Sequence, residues 1–273
     1  MTAVHAARTA RPGWQLAAGT VVILLVLEEV LTRTGVLPAD YFPPVSQIGA
    51  ALLPELAGAQ LWTQVGQTLQ GWFVALLLAT ALAVPLGLLL GTVWWVRGLT
   101  RPIVEFLRPV PSVALIPLVV LALGTGKQSE LFLATFAAFW QLLVATTAGA
   151  GAVDRVTAET ARCYGLTRVQ TLRWVALPSA LPYLMTGIRV ASATSLILVV
   201  TTEILIGVPG LGAQISLTRA GGSPDLMYAY IIVTGLLGWL INIGLTAGER
   251  RLLHWDAANR DDANRDAANR GSR

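Results

Sequence analysis

The chain has 273 residues, 55% of them hydrophobic and 12% charged, with a mean hydropathy of +0.65. Soluble domains carry about 25% charged residues, so the composition excludes a water-soluble globule and makes lipid the solvent for most of the chain. A single cysteine, Cys163, excludes an intrachain disulfide or a cysteine-cluster metal site.

The only histidines, His5 and His254, fall outside the apolar runs, which leaves little material for metal or nucleophile–base chemistry. No catalytic residue, metal or cofactor is expected. The pI near 9.7 does not point to nucleic acid, because the arginines stand at the ends of apolar runs and do not gather on one soluble face.

A helix crosses the roughly 30 Å hydrocarbon layer in about 20 residues. Spans are expected near 14–32, 71–95, 103–124, 131–150, 183–206 and 227–247, giving an all-α polytopic membrane protein of about six transmembrane helices. Residues 1–13 form a tail before the first span. Glu28 and Glu29 interrupt the far end of that span, and a cleavable leader would leave an odd number of spans. Residues 33–70 read as an external connection, with Pro38, Pro43 and Pro44 followed by a partly amphipathic stretch from Val45 to Trp62. Residues 71–250 form the membrane core. Its first window, Trp72 to Trp95, holds no charged residue. Trp62, Trp72, Trp94, Trp95 and Trp239 fall near span ends, where indoles anchor at the interface.

The third span opens on Arg108-Pro109-Val110-Pro111-Ser112 and carries Pro117. Each proline removes a backbone donor, and a helix broken inside a bilayer must turn its freed carbonyls to protein or to a water-filled cavity. Pro109, Pro111, Ser112 and Pro117 are therefore candidate pathway-lining residues. Gly124-Thr125-Gly126-Lys127 is not a phosphate loop, because Leu121 and Gln128 stand where the pattern needs Gly and Ser or Thr. The fifth span carries Ser192, Thr194, Ser195, Thr201, Thr202 and Glu203. Hydroxyls in such helices often bond a preceding carbonyl or a neighbouring helix, while an ionisable group in a span is a functional-site candidate. Ser195, Thr201, Thr202 and Glu203 are added to the candidate pathway on that basis. Arg189, toward the other end, is expected to snorkel. The low-complexity tail, 251–273, repeats Asp256-Ala-Ala-Asn-Arg260 with small changes.

Arg8 and Arg11, then Arg97, Arg101 and Arg108, then Arg155, Arg162, Arg168 and Arg173, and finally Arg250 and Arg251 fall on one side of this topology. Arg33, Lys127 and Arg219 fall on the other. The positive-inside bias places both termini and the loop after the fourth span in the cytoplasm of a multi-pass plasma-membrane protein. That loop is a polar, Arg-bearing island. Val153, Val156 and Ala161 can share its membrane-facing side, with Asp154, Arg155, Glu159 and Arg162 turned away. Gly165 permits a bend and Thr167 suits an N-cap. Leu177-Pro178 is expected to stop the second short helix. Two short helices at an angle make a stiff lever suited to contact with another protein.

Glu159-Thr160-Ala161-Arg162, Gly165 and Leu177-Pro178 resemble the signature loop of ABC importer permeases, with Thr160 departing from its second alanine. Arg108-Pro109-Val110-Pro111 with Ile116-Pro117, and Leu123-Gly124-Thr125-Gly126, resemble the nitrate, sulfonate and taurine branch. So does Glu203 with Gly210-Leu211-Gly212, although Ala213-Gln214 departs from that branch's aromatic continuation. The resemblance covers roughly residues 60–250. It implies an ATPase-coupling role for Glu159, Thr160, Ala161, Arg162, Gly165, Leu177 and Pro178. It also implies cytoplasmic ABC ATPase subunits and an external solute-binding protein as partners, with a permease homodimer forming the pathway. A secondary transporter or channel working without an ATPase is the alternative from sequence, and a membrane-embedded enzyme is the third class weighed.

Overall fold

The computed structural model describes residues 13–153 and 155–253. The tails, with His5, Arg8, Arg11 and His254, and Asp154 lie outside the described residues, as do the side chains of Arg155, Arg162 and Arg168. The described chain is helical throughout. In order come α1 (Gly13–Arg33), α2 (Val45–Ala57), α3 (Ala59–Thr92), α4 (Trp94–Leu107), a 3₁₀ turn (Ser112–Leu115), α5 (Ile116–Leu123) and α6 (Lys127–Gly151). Then follow α7 (Arg155–Cys163), α8 (Arg168–Thr171), a π segment (Leu172–Ala176), α9 (Leu177–Ile206), α10 (Leu211–Ala220) and α11 (Pro224–Leu252). Among the described residues, four helices are long and apolar enough to cross a membrane, or five if the pair Trp94–Leu107 and Ser112–Leu123, bent by 80°, is one span. The protein is an all-α polytopic membrane protein.

Helix α3 begins well before the apolar window at Trp72. Gln60, Thr63, Gln64 and Gln67 are polar yet compatible with a helix, so the helix continues where hydropathy falls. At 34 residues it is about 51 Å long at 1.5 Å per residue. Pro109 and Pro111 lie between the two arms of the bend. Pro117 is different from expectation: it sits at the first positions of α5, where a missing donor has no consequence, and so it starts that helix without kinking it.

The centre is α3, α6 and α9 packed on one another. Leu76, Ala79, Ala83, Ala138, Leu142 and Ala191 form one buried cluster, and Ala75, Ile116, Leu133, Ala134, Leu198 and Val199 another. Small residues set the helix spacing. A Cβ at Gly87 would lie 2.6 Å from Thr146 Cβ, and one at Gly187 2.5 Å from Ala145 Cβ. Trp72 is not an interface anchor, since its Nε1 donates to Ser192 O at 3.1 Å and bridges α3 to α9. Arg189 does not simply snorkel; it is ion-paired with Glu249 of α11. Helix α2 is tied at both ends. Ser46 N donates to Glu29 Oε2 at 3.0 Å, and Tyr230 OH of α11 donates to Glu55 Oε2 at 2.7 Å.

Because Gly187 admits no side chain beside Ala145, Gly187→Val is expected to cost about 1–3 kcal/mol through overpacking. A lower melting temperature of the purified protein in detergent would register it, and an unchanged one would refute this close packing.

Candidate functional site

At one end of the bundle, α7, Gly165 and α8 form the jointed element. Gly165 has φ +71°, a left-handed conformation that glycine adopts at little cost. Tyr164 N donates to Thr160 O at 3.0 Å and Leu166 N to Ala161 O at 3.1 Å, the closing bond of a Schellman-type end. Thr167 then starts α8 through a reciprocal cap. Gln170 N donates to Thr167 Oγ1 at 3.3 Å while Thr167 N donates to Gln170 Oε1 at 2.8 Å.

The chain does not stop at Leu177-Pro178 as the sequence pattern suggested. Helical conformation runs from α8 through the π segment into α9, with Pro178 in the first turn of α9. A wider π turn is a recognised way to accommodate a disturbed bonding ladder, and here it directly precedes the proline. Glu159 and Thr160 are exposed and Ala161 is buried. Val156 is 68% exposed, whereas Ala161 packs inside. Tyr164, Val169 and Trp174 are also exposed, and the Arg173 guanidinium lies 5.4 Å from the Trp174 ring centre. Cys163 is exposed.

At the other end of α9 lies a polar cluster closed off from solvent. Glu203 is wholly buried. Its carboxylate accepts from Thr68 Oγ1 at 2.8 Å and from Gly212 N at 2.8 Å. Thr68 Oγ1 in turn accepts from Leu211 N at 2.9 Å. The N-terminal donors of α10, which lack partners within the helix, are therefore satisfied by a side chain of α9 and one of α3. A side chain on either Gly210 or Gly212 would collide with Glu203. Beside this cluster Glu130 of α6 is also wholly buried and ion-paired with Lys127 at 2.8 Å. Lys127 Nζ donates to Gln67 O of α3 at 3.2 Å, and Gly71 leaves the room that Glu130 occupies.

The candidate pathway residues divide into two groups. Pro109, Pro111 and Pro117 lie exposed and Ser112 half-buried at the α4–α5 bend, whereas Ser195, Thr202 and Glu203 are buried within the chain and Thr201 is half-buried. Thr194, Thr201 and Thr202 donate to Val190 O, Ile197 O and Val199 O of their own helix. Sequence reasoning missed Thr68 and Glu130. The signal for Glu130 was a carboxylate three residues after Lys127 at the head of an apolar helix; Thr68 gave none.

The sequence model for the binding-protein-dependent transport system inner membrane component family matches residues 83–254. The chain belongs to that family, among the non-catalytic permease subunits of ABC importers in the nitrate, sulfonate and taurine-like branch. It is 31% identical to the taurine transport system permease protein TauC of Escherichia coli (strain K12), over 88% of this chain and 89% of that one. It is 26% identical to the putative aliphatic sulfonates transport permease protein SsuC of Bacillus subtilis (strain 168), over 90% and 89%. The nitrate import permease protein NrtB of Leptolyngbya laminosa is 30% identical over 67% of this chain and 65% of its own length. Among solved structures, an inward-facing form of the MetNI methionine ABC transporter aligns with a TM-score of 0.63 at 24% identity, covering 73% of this chain and 98% of that one, a likeness of fold.

Replacing Glu203 with Ala leaves the Gly212 amide and the Thr68 hydroxyl without their acceptor, at about 1–3 kcal/mol for each buried group so stranded. In a Cys163→Ser background, a Val208→Cys probe is expected to react slowly with a thiol reagent and much faster once Glu203→Ala is added. Glu203→Gln, which keeps an acceptor oxygen, should fall between. Equal labelling in all three would remove the carboxylate from this role.

Proposed function

We propose that this chain forms the translocation pathway of an ATP-driven importer for a small anionic solute of the sulfonate, taurine or nitrate kind, as a permease homodimer. In this reading an external binding protein delivers the solute, and closure of a cytoplasmic ATPase dimer switches the pathway between inward and outward access. The residues from Glu159 to Pro178 transmit that motion. The observation that carries the reading is the jointed element itself. It holds a fixed bend at Gly165 and presents Val156, Tyr164, Val169 and Trp174 to the exterior. Exposed aromatic and apolar groups on a rigid element suit a protein groove. The named relatives, which serve taurine, sulfonates and nitrate, favour the solute class.

Adding α1 and the bent α4–α5 pair to the four long helices supports six spans with both termini cytoplasmic. That places Cys163 inside and the Glu203 cluster outside. Pro109, Pro111, Ser112 and Pro117, at the exposed bend, are the residues proposed to face the pathway. Glu203 acts behind it by joining α9 to α3 and α10.

Proline cannot adopt φ +71° because its ring fixes φ near −65°. Gly165→Pro is therefore expected to abolish co-purification with the ATPase subunit while leaving membrane insertion intact. Undiminished association, or labelling of Cys163 only from the external face, would defeat the coupling assignment.

A further inference from the structure

Beside the jointed element, α4 forms one wall of an open-sided hollow of about 530 Å³ whose other walls are the C-terminal turns of α3 and α6. Arg97, Arg101 and Arg108 line it, with Thr100, Thr147 and one acid, Glu105. Arg97 is fixed in place. Its Nε donates to Leu90 O at 2.8 Å, and its guanidinium rests against Gly151 at the end of α6. It thereby offsets the negative ends of two helices, which would otherwise repel an anion. Arg101 pairs with Glu105 at 2.7 Å, but both side chains are more than half exposed. A pair of that kind contributes little, so Arg101 is free to exchange it for a better anion. Arg108 makes no ion pair among the described residues. The hollow carries a formal excess of two positive charges.

The opposite side of α4 carries Trp95, Leu99, Ile103 and Phe106, all exposed, while Trp94 at its start is 84% exposed. A short helix with arginines on one side and aromatic and aliphatic groups on the other suits a headgroup-level position with its apolar side among the acyl chains, and α4 takes that position as the interfacial arm of the bent α4–α5 pair. Basic pockets between membrane helices on the cytoplasmic side suit anionic headgroups.

We infer that this hollow is a binding site for the headgroup of an anionic phospholipid of the inner leaflet, with the phosphodiester held by Arg101 and Arg108 over the floor set by Arg97. The leaflet rests on the orientation proposed above; the site itself does not. The apolar side of α4 favours lipid over a soluble anion, because the acyl chains of a bound lipid and the exposed Trp95, Leu99 and Phe106 then share one surface.

The full-length protein is released from membranes containing phosphatidylglycerol and phosphatidylethanolamine, and retained lipid is read by native mass spectrometry. Wild type is expected to retain phosphatidylglycerol preferentially. The Arg101→Gln, Arg108→Gln double variant should lower that preference about tenfold, the corresponding double Lys variant should keep most of it, and Arg219→Gln at the other end of the bundle should leave it unchanged. An unchanged preference in the double Gln variant overturns the site. Inorganic phosphate or methanesulfonate protecting wild type without any phosphatidylglycerol retained would make it a soluble-anion site and overturn the lipid assignment. ATPase co-purification, measured on the same wild-type samples, reports on the coupling reading separately from lipid retention.

Discussion

A carboxylate inside an apolar bundle persists only where protein groups replace its water. Glu203 meets that condition from two directions, through the Thr68 hydroxyl on α3 and the Gly212 amide at the head of α10. Each partner is also served by the arrangement, since the Leu211 amide finds its acceptor in Thr68. Three helices are thus fixed by one side chain. The Gly210-Leu211-Gly212 sequence follows from the same constraint, because the approach of the α10 amides to the carboxylate leaves no room for a Cβ at either glycine. Beside it the buried Glu130 pairs with the half-exposed Lys127, so two buried carboxylates of this end of the bundle lie close together, each met by a protein group.

Elsewhere the packing runs opposite to that of a soluble protein. Alanine and glycine are prominent on the inward faces of α3, α6 and α9 beside Leu76, Leu133, Leu142 and Val199, while many large apolar groups face outward, as Val21 to Leu27 of α1 and Leu118 and Leu121 of α5 do. Lipid tails are as apolar as leucine, so helix association here gains little from burying large side chains and more from close backbone approach. The outward faces therefore await lipid or a second chain. Helix α11 is the most open of the four long helices, with 17% of its apolar window buried. Tyr230, Met227, Val233 and Leu237 pack it against Leu61, Leu211 and Ile215, and Glu249 to Arg189 and Tyr230 to Glu55 add polar ties.

Apolar windows located the long helices in the sequence because insertion energy is a local sum over residues. They misplaced the start of α3, since the twelve polar-rich residues from Ala59 to Gln70 are helical without being hydrophobic. Gly165 and Thr167 were legible because bends and caps depend on neighbours in sequence. Leu177-Pro178 was misread: a proline normally ends a helix, but a π segment immediately before it lets the helix continue, and nothing in the residues Leu172 to Ala176 announces that. The burial of Glu203 and the role of Thr68 were out of reach, for the two residues are 135 positions apart and meet only through the packing of α3 on α9.

That continuity changes how the jointed element can act. A flexible link at Pro178 would dissipate a displacement of α8 within a few residues. Instead α8 passes without interruption into α9, whose 30 residues span about 45 Å at 1.5 Å per residue. The last turn of α9 carries Glu203, which grips α10 and α3. In the proposed importer, a push at Gly165 on one side of the membrane is therefore delivered along a single stiff bar to the clamp on the other. The π segment is one place along that bar where the bonding pattern is irregular, and Pro182 in the second turn of α9, which lacks a backbone donor, is another; π turns are frequent at functional sites. In that reading α9 and α10 would move together, because the Glu203 carboxylate joins them. Ile116 and Val119 of α5 pack in one cluster with Leu198 and Val199 of α9, so in this reading a displacement of α9 also reaches the α4–α5 bend and its exposed prolines.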